Sequence, residues 1–291
     1  MTRSIAIASC AALLPDGDAG DYPLLKALAA RQVDVSVVAW SDREVDWHRF
    51  DLTVVRSTWD YTTRRSEFLR WLPTVPNLHN PAAVLAANSD KRYLGALIEA
   101  GLPVVETRFF EPGQTASVPE HGQFVVKPSV GAGSRGAGRF DADQAGEVHR
   151  AAGHAAQLHR AGRTVVVQPY LSGVDSHGET ALIYLDGVFS HSIRKSAMLA
   201  PGDAFAVDAP GLWIEEAISA RTPSAAELEV GGRILSHLTP DGPLLYARID
   251  LLPSPTGPVL VEAELTEPSL FLDEHPEAAD RLAEAILSRL G

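Results

Sequence analysis

Short apolar runs separated by polar turns mark the first 85 residues. SIAIASC is a strand, an Asp/Gly turn follows, YPLLKALAARQ places its apolar residues at helical spacing, and VDVSVVAW returns to a strand. Together they predict a βαβ unit. DLTVVRSTWDY adds a strand whose apolar run ends in the polar segment RSTWDY, and SEFLRWL begins a helix beyond it. Residues 1–85 are therefore expected to form an α/β domain on a parallel sheet. Ligands of such sheets gather at the carboxyl ends of the strands, which puts RSTWDY where a substrate would bind.

The pattern then changes. Asn88 and Ser89 are expected to cap a helix over DKRYLGALIEA that stops at Gly101. VVETRFF and QFVVKPSV read as strands, and GAGSRGAGRF has four glycines in eight residues from Gly131 to Gly138, too many for a stable helix. An Ala-rich helix is predicted over about 141–162, followed by the strand TVVVQPYL. After Gly178 come a hairpin, ETALIYLDGVFSHSIRK, turning at Asp186-Gly187, a helix over about 224–238, the strands LLYARIDLL and PVLVEAEL, and a final helix. This suggests an α+β part in two pieces, 86–170 and 171–291.

Several residues in this frame could carry chemistry. Lys127 ends an apolar strand just before the glycine segment, and an ammonium beside mobile backbone amides can clamp phosphates. Glycine-rich loops are also ordinary connections, GxxxxGK[ST] is absent, and Lys91 reads equally as a surface charge. Asp250 lies on one strand, and Glu262 and Glu264 lie on the next at a spacing that points both to one sheet face. Three such carboxylates suit Mg²⁺, or else mark a solvated face. In the first domain Arg56 can pair with a carboxylate, while Ser57, Thr58 and Asp60 offer contacts to an amine or ureido group. Trp59 and Tyr61 read as core or rim aromatics as well as substrate contacts. Arg194 is a second cation for a carboxylate or phosphate. Asp16, Asp18 and Asp21 read as a solvated turn, though a loop after the first strand could also bind substrate, and His191 reads as structural.

Composition narrows the partners. The 37 acidic residues against 25 basic give a net charge of -12, which repels nucleic acid and anionic membranes, so neither is an expected partner. A small ligand suits the chain better. With 45% hydrophobic residues it can fill several cores, and the single Cys10 leaves no intrachain disulfide, pointing to a reducing, cytoplasmic setting. MTRSIAIASCAALL reads as a first strand rather than a signal. A homo-oligomer remains open.

The order of these features, Lys, Lys with a Gly loop, hinge strand, basic hairpin, Arg-x-Asp and Glu-x-Glu, resembles the ATP-grasp superfamily. STWDY, GVFSHSIRK and EAELTEPSLFL are similar to its glutathione-synthetase-like branch, which includes O-ureido-serine cyclo-ligases. The resemblance implies an ATP-grasp fold in which two subdomains enclose the nucleotide, behind an N-terminal substrate domain. It implies that Lys91 and Lys127 touch the phosphates of ATP, covered by the loop with Gly131, Gly133, Ser134 and Gly136. Backbone near Gln168, Pro169 and Tyr170 would pair with adenine, and Glu179 would meet the ribose. Arg248, with Arg194 and Lys195 of the hairpin, would face the transferred phosphoryl group, and Asp250, Glu262 and Glu264 would hold magnesium. Tyr61, Glu267 and Ser269 would join Arg56 around a small carboxylic acid. Glu264 stands where many relatives carry Asn, which leaves a second metal's coordination open. The activity implied is conversion of a carboxylate to an acyl phosphate for attack by nitrogen, with ring closure where the nucleophile is tethered. An intermolecular ligase, a phosphotransferase and a non-catalytic ATP-binding regulator are the alternatives.

Overall fold

The computed structural model describes residues 3–204, 217–275 and 277–290. Its first layer is a parallel sheet built from β1 (Ser4–Ser9), α1 (Tyr22–Ala30), β2 (Asp34–Ala39), β3 (Leu52–Val55), α2 (Arg65–Trp71) and β4 (Leu78–His79), in strand order β2-β1-β3-β4. Side chains on β1 alternate between two cores, as its period of two requires. Ile5 and Ile7 pack with Leu24 and Leu28 of α1, whereas Ala6 and Ala8 lie under Trp40, Trp47, Phe68 and Trp71. The small alanines leave room for that aromatic group.

Next come α3 (Ala82–Asn88) and α4 (Tyr93–Glu99), then β5 (Arg108–Phe110), β6 (Gln123–Pro128), β7 (Gly138–Asp141), α5 (Glu147–Arg160) and β8 (Val165–Pro169). The four strands form an antiparallel sheet, β5-β8-β6-β7. Phe124 and Val126 of β6 turn to α5, so alternation turns Val125 and Lys127 the other way, toward a cleft.

The remaining elements are α6 (Gly173–His177), β9 (Glu179–Leu185), β10 (Val188–Lys195), β11 (Ile218–Ala220), α7 (Ala225–Leu238), β12 (Tyr246–Ser254), β13 (Gly257–Glu264) and α8 (Ala278–Ser288). Their strands form a second antiparallel sheet, β11-β10-β9-β12-β13. The β9–β10 hairpin turns at Asp186 and Gly187, whose φ angles of 52° and 75° are those of the turn that follows strand twist. Ser224 and Glu227 form a reciprocal cap at the start of α7. Leu282 and Ile286 of α8 share one core with β1, α1 and the hairpin residues Ile183 and Ile193, so the last helix joins the parallel sheet to this one.

Asn88 and Ser89 do not cap a helix, contrary to expectation. Asn88 closes α3 instead, and its amide bonds to β13 through Ala263 O and Leu265 N, both at 2.7 Å. Asp90, Lys91 and Arg92 lie in the turn before α4, and that shift buries Lys91. The strand expected over 104–110 is shorter, with only Arg108–Phe110 in the ladder.

Candidate active site

Two cavities meet between the layers. The first lies between the cleft face of β6 and β8 and the cleft face of the five-stranded sheet. Val105, Val125, Val174, Leu252 and Val261 form its apolar part, and Lys91, Lys127, Glu179, Lys195, Arg248, Asp250, Glu262 and Glu264 its polar end. The second runs from that polar end toward the parallel sheet and is lined by Arg56, Trp59, Tyr61, Glu267, Ser269 and Phe271, among others. Lys91, Arg248, Glu262, Glu264 and the glycine loop at Gly131–Gly133 line both.

Strand register assembles the charged end. Arg248 pairs across the ladder with Glu264, and Asp250 with Glu262, while Lys195 pairs with Glu179 on the other side of the sheet. The β12–β13 register shifts immediately after Asp250, and such a bulge re-aims side chains beside a site. Arg248 holds Asp250 with two nitrogens, each at 2.9 Å, and also contacts Glu264. Lys195 lies 2.8 Å from Asp250 and also bonds Glu179, and Lys91 lies 2.9 Å from both Glu262 and the carbonyl of Gly131.

These contacts set the protonation states. Burial alone would raise the Asp250 carboxyl, but Arg248 and Lys195 hold it well below the usual carboxylate range. Burial likewise opposes ionisation of Glu262, and Lys91 with Lys127 overcomes it. Glu264 moves the other way, up to about 7, because burial and the charges of Glu262 and Asp250 outweigh Arg248. Glu267 is pushed to about 8 by burial and by Glu264, against a hydrogen bond from Tyr61.

Most residues singled out in the sequence lie on these cavities, and several do not. Arg194 alternates away from Lys195, and its guanidinium donates to the carbonyls of His177 and Ser176 at the end of α6. It stabilises that helix terminus instead of facing a phosphoryl group. Gly136 serves packing: with φ at 73° it sits 3.2 Å, at the position of an added Cβ, from the Pro128 ring, and its carbonyl meets His154. Ser57 bonds Ser9 at 2.7 Å, Thr58 is wholly buried, and Asp60 accepts from Trp40 and Arg64, so these three brace the segment from behind. Tyr170 lines the first cavity, but its backbone N–H already donates to Gln123 O, and Gln168 is held in the ladder and by Thr107.

Arg56 is buried, with its Nε 2.8 Å from Asp21 and its guanidinium over the Tyr246 ring, while Nη1 has no hydrogen-bond partner among the described residues. Asp21 is thus an internal counter-ion and not part of a solvated turn. Its acidic, Gly-rich neighbourhood looks like any loop, so no local signal distinguishes it. Phe271 of the second cavity was equally silent in the sequence, whereas Asp18, read there with its neighbours as a turn or a substrate loop, lines that cavity. His191 is structural, as expected, with Nε2 2.9 Å from Leu270 O.

Two antiparallel sheets closing on a nucleotide-sized cleft, with lysines and carboxylates at one end, are the architecture of an ATP-grasp ligase. The solved ATP-grasp ligase PsnB, complexed with a phosphomimetic variant of its minimal precursor, Mg and ADP, shares this fold at a TM-score of 0.62 and 17% identity, over 100% of both chains. Residues 5–80 match the profile of the N-terminal domain of D-cycloserine synthetase DcsG. The cycloserine biosynthesis protein DcsG of Streptomyces lavendulae is 38% identical over 285 residues, covering 92% of this chain and 93% of that protein. The crystal structure of D-cycloserine synthetase DcsG aligns with a TM-score of 0.86 and 35% identity, over 99% of this chain and 100% of that one. The chain belongs to the D-cycloserine synthetase DcsG family and is an ATP-dependent ligase. No helix among the described residues is long and apolar enough to cross a membrane.

Proposed function

We propose that the protein uses ATP and Mg²⁺ to close O-ureido-D-serine to D-cycloserine, releasing ADP and phosphate. The observation that carries this reading is the junction of the two cavities at Lys91, Arg248, Glu262 and Glu264, where a γ-phosphate from one side would meet a carboxylate from the other. The names of the relatives support the choice of substrate.

On this reading Lys91 and Lys127 hold phosphate oxygens while the Gly131–Ser134 loop covers them, and the adenine lies among the apolar residues near Pro169 and Tyr170. The unpartnered Nη1 of Arg56 supports a role in holding the acid beside Glu267 and Ser269. The acid's carboxylate oxygen attacks the γ-phosphorus and ADP leaves. The oxygen-bound nitrogen of the ureido group then attacks the carbonyl carbon and loses its proton, and phosphate leaves with the C–O electron pair; water then cleaves the carbamoyl carbon from the ring nitrogen, which regains a proton, and the carbamic acid formed leaves as CO2 and ammonia. Tethering makes the ring closure intramolecular, which gives it high effective molarity. Arg248 stands at the junction to offset charge on the phosphoryl oxygens.

A hard divalent cation fits the donor chemistry of this face, since Glu264 is raised to about 7 by burial and, in smaller part, by the charges of Glu262 and Asp250, and an added cation would relieve both. Glu262 and Glu264 would hold it with phosphate oxygens. Asp250 would join them by exchanging one of its cations, because among the described residues no three acidic, His or Cys side chains already converge on one point. Bound magnesium supplies charge neutralisation at the phosphates.

The test is ADP release and product mass with O-ureido-D-serine, with and without Mg²⁺. Acid-dependent ADP release with one ring product per ADP is expected. Release that requires an added amine would make the protein an intermolecular ligase, and ATP binding without any acid-dependent release would make it a regulator.

A further inference from the structure

Phe271 has a φ of 48°, in the left-handed region that a bulky side chain enters only at a cost. The loop that carries it, between β13 and α8, is tied down on each side. Tyr246 Oη donates to Thr266 O at 2.9 Å, Trp59 Nε1 to Glu267 O at 3.1 Å, and Arg248 Nη1 to Ser269 O at 3.2 Å. His191 Nε2 meets Leu270 O at 2.9 Å, and the N–H of Glu274 closes a turn on Phe271 O at 3.1 Å. Leu270 and Leu272, on either side, are buried in the core shared with α8. Held this way, Phe271 packs against the edge of that core while its ring also lines the second cavity.

There it stands against Arg248, whose guanidinium carbon lies 5.8 Å from the ring centroid. The edges of that guanidinium are engaged by Asp250, Glu264 and Ser269 O. The Phe271 ring adds an apolar neighbour and a cation–π attraction to this group. An acyl phosphate formed at the junction faces two competing nucleophiles. The tethered nitrogen closes the ring, or a water oxygen attacks the same carbonyl carbon, expels phosphate and regenerates the starting acid. Both routes release ADP and phosphate, and only the first makes product.

We propose that Phe271 is a positioning residue that steadies the Arg248 guanidinium at the junction and keeps water off the activated acid, so that ATP turnover stays coupled to ring closure. The inference rests on the ring-closing reading above. Its test is the ratio of phosphate released to ring product formed from O-ureido-D-serine, measured with melting temperature and ATP affinity. Phe271→Ala is expected to raise that ratio about threefold or more, the size of effect a lost cation–π contact carries, while ATP affinity stays at the wild-type value. Phe271→Tyr, which keeps the ring face, should return the ratio to that of the wild type. Phe271→Leu fills the core volume without a π face, and it carries the test if the Ala variant melts early. A slower enzyme with an unchanged ratio in both variants would overturn the proposal and leave Phe271 as packing alone. Absence of ring product from the wild-type protein would instead overturn the ring-closing reading, and this control separates the two failures.

Discussion

Burial pushes the Lys127 ammonium down to about 8, with Lys91 and Lys195 adding to the shift and Glu262 and Glu179 opposing it. Such a group is only partly protonated in mildly alkaline solution, so its hold on a phosphate is pH-dependent. ATP affinity should therefore fall as pH rises through 8, approaching tenfold per unit at most, since about one proton is linked to binding. The effect on folding has the opposite sign. A lysine whose folded pKa is depressed costs stability in full below pH 8, and that cost shrinks as pH rises toward its unfolded value, so rising pH over this window stabilises the fold while it weakens ATP binding. Titration calorimetry between pH 7 and 9.5 checks the point. Lys127→Arg should flatten the decline, because the guanidinium stays charged. A decline unchanged in that variant would assign it to another group. None of this was readable beforehand: the sequence put Lys127 beside a glycine loop, but the depression depends on Lys91 and Lys195, which lie 36 residues before it and 68 after it.

At the scale of elements, the strands near the chemistry were the most legible part. Period-two spacing placed Glu262 and Glu264 on one face of a strand, and β13 carries them so, opposite Asp250 and Arg248. The same rule, applied to Arg194 and Lys195, should have warned that neighbours on a strand cannot both face one site. The bulge after Asp250 and the tie from Asn88 to β13 left no trace in the sequence, since each depends on a partner strand and not on local spacing. Thr62 is a third long-range feature. Arg135 of the glycine loop donates to its hydroxyl at 2.8 Å, and Arg163, just before β8, donates to its carbonyl at 2.5 Å. These bonds latch the glycine loop and the start of β8 to the segment that carries Tyr61 into the second cavity. Thr62→Val removes the hydroxyl while keeping the shape. It should weaken ATP binding about two- to tenfold, the range expected for one hydrogen bond, with little change in melting temperature. Binding at the wild-type affinity would show that Arg135 does not fasten the loop.

Across the whole molecule, the parallel sheet and the five-stranded sheet are joined by a buried chain of contacts as well as by α8. Asp21 holds Arg56, Arg56 stacks on Tyr246 of β12 at 5.3 Å, and the Tyr246 hydroxyl reaches Val55 O at 2.6 Å and Thr266 O at 2.9 Å. Arg56 thus braces the two layers; it also lines the second cavity, and its buried Nη1 has no hydrogen-bond partner among the described residues. From the sequence Arg56 read as a cation for a carboxylate with no partner named, because the position of a residue at a strand end says nothing about a partner 35 residues away. Removing Arg56 leaves the Asp21 carboxylate buried and uncompensated, a change that typically costs about 3–5 kcal/mol. Arg56→Ala should lower the unfolding free energy by about that amount, seen in urea titrations. Arg56→Ala with Asp21→Asn removes both charges and should recover a large part of the loss. The double variant is the informative one for function. Once stability is restored, a Michaelis constant for the acid that stays raised while ATP affinity measured without acid is unchanged would assign the free nitrogen to substrate. Full recovery of acid kinetics along with stability would make Arg56 a brace only, and the acid's carboxylate would then need its cation from Lys91 or Arg248 at the junction.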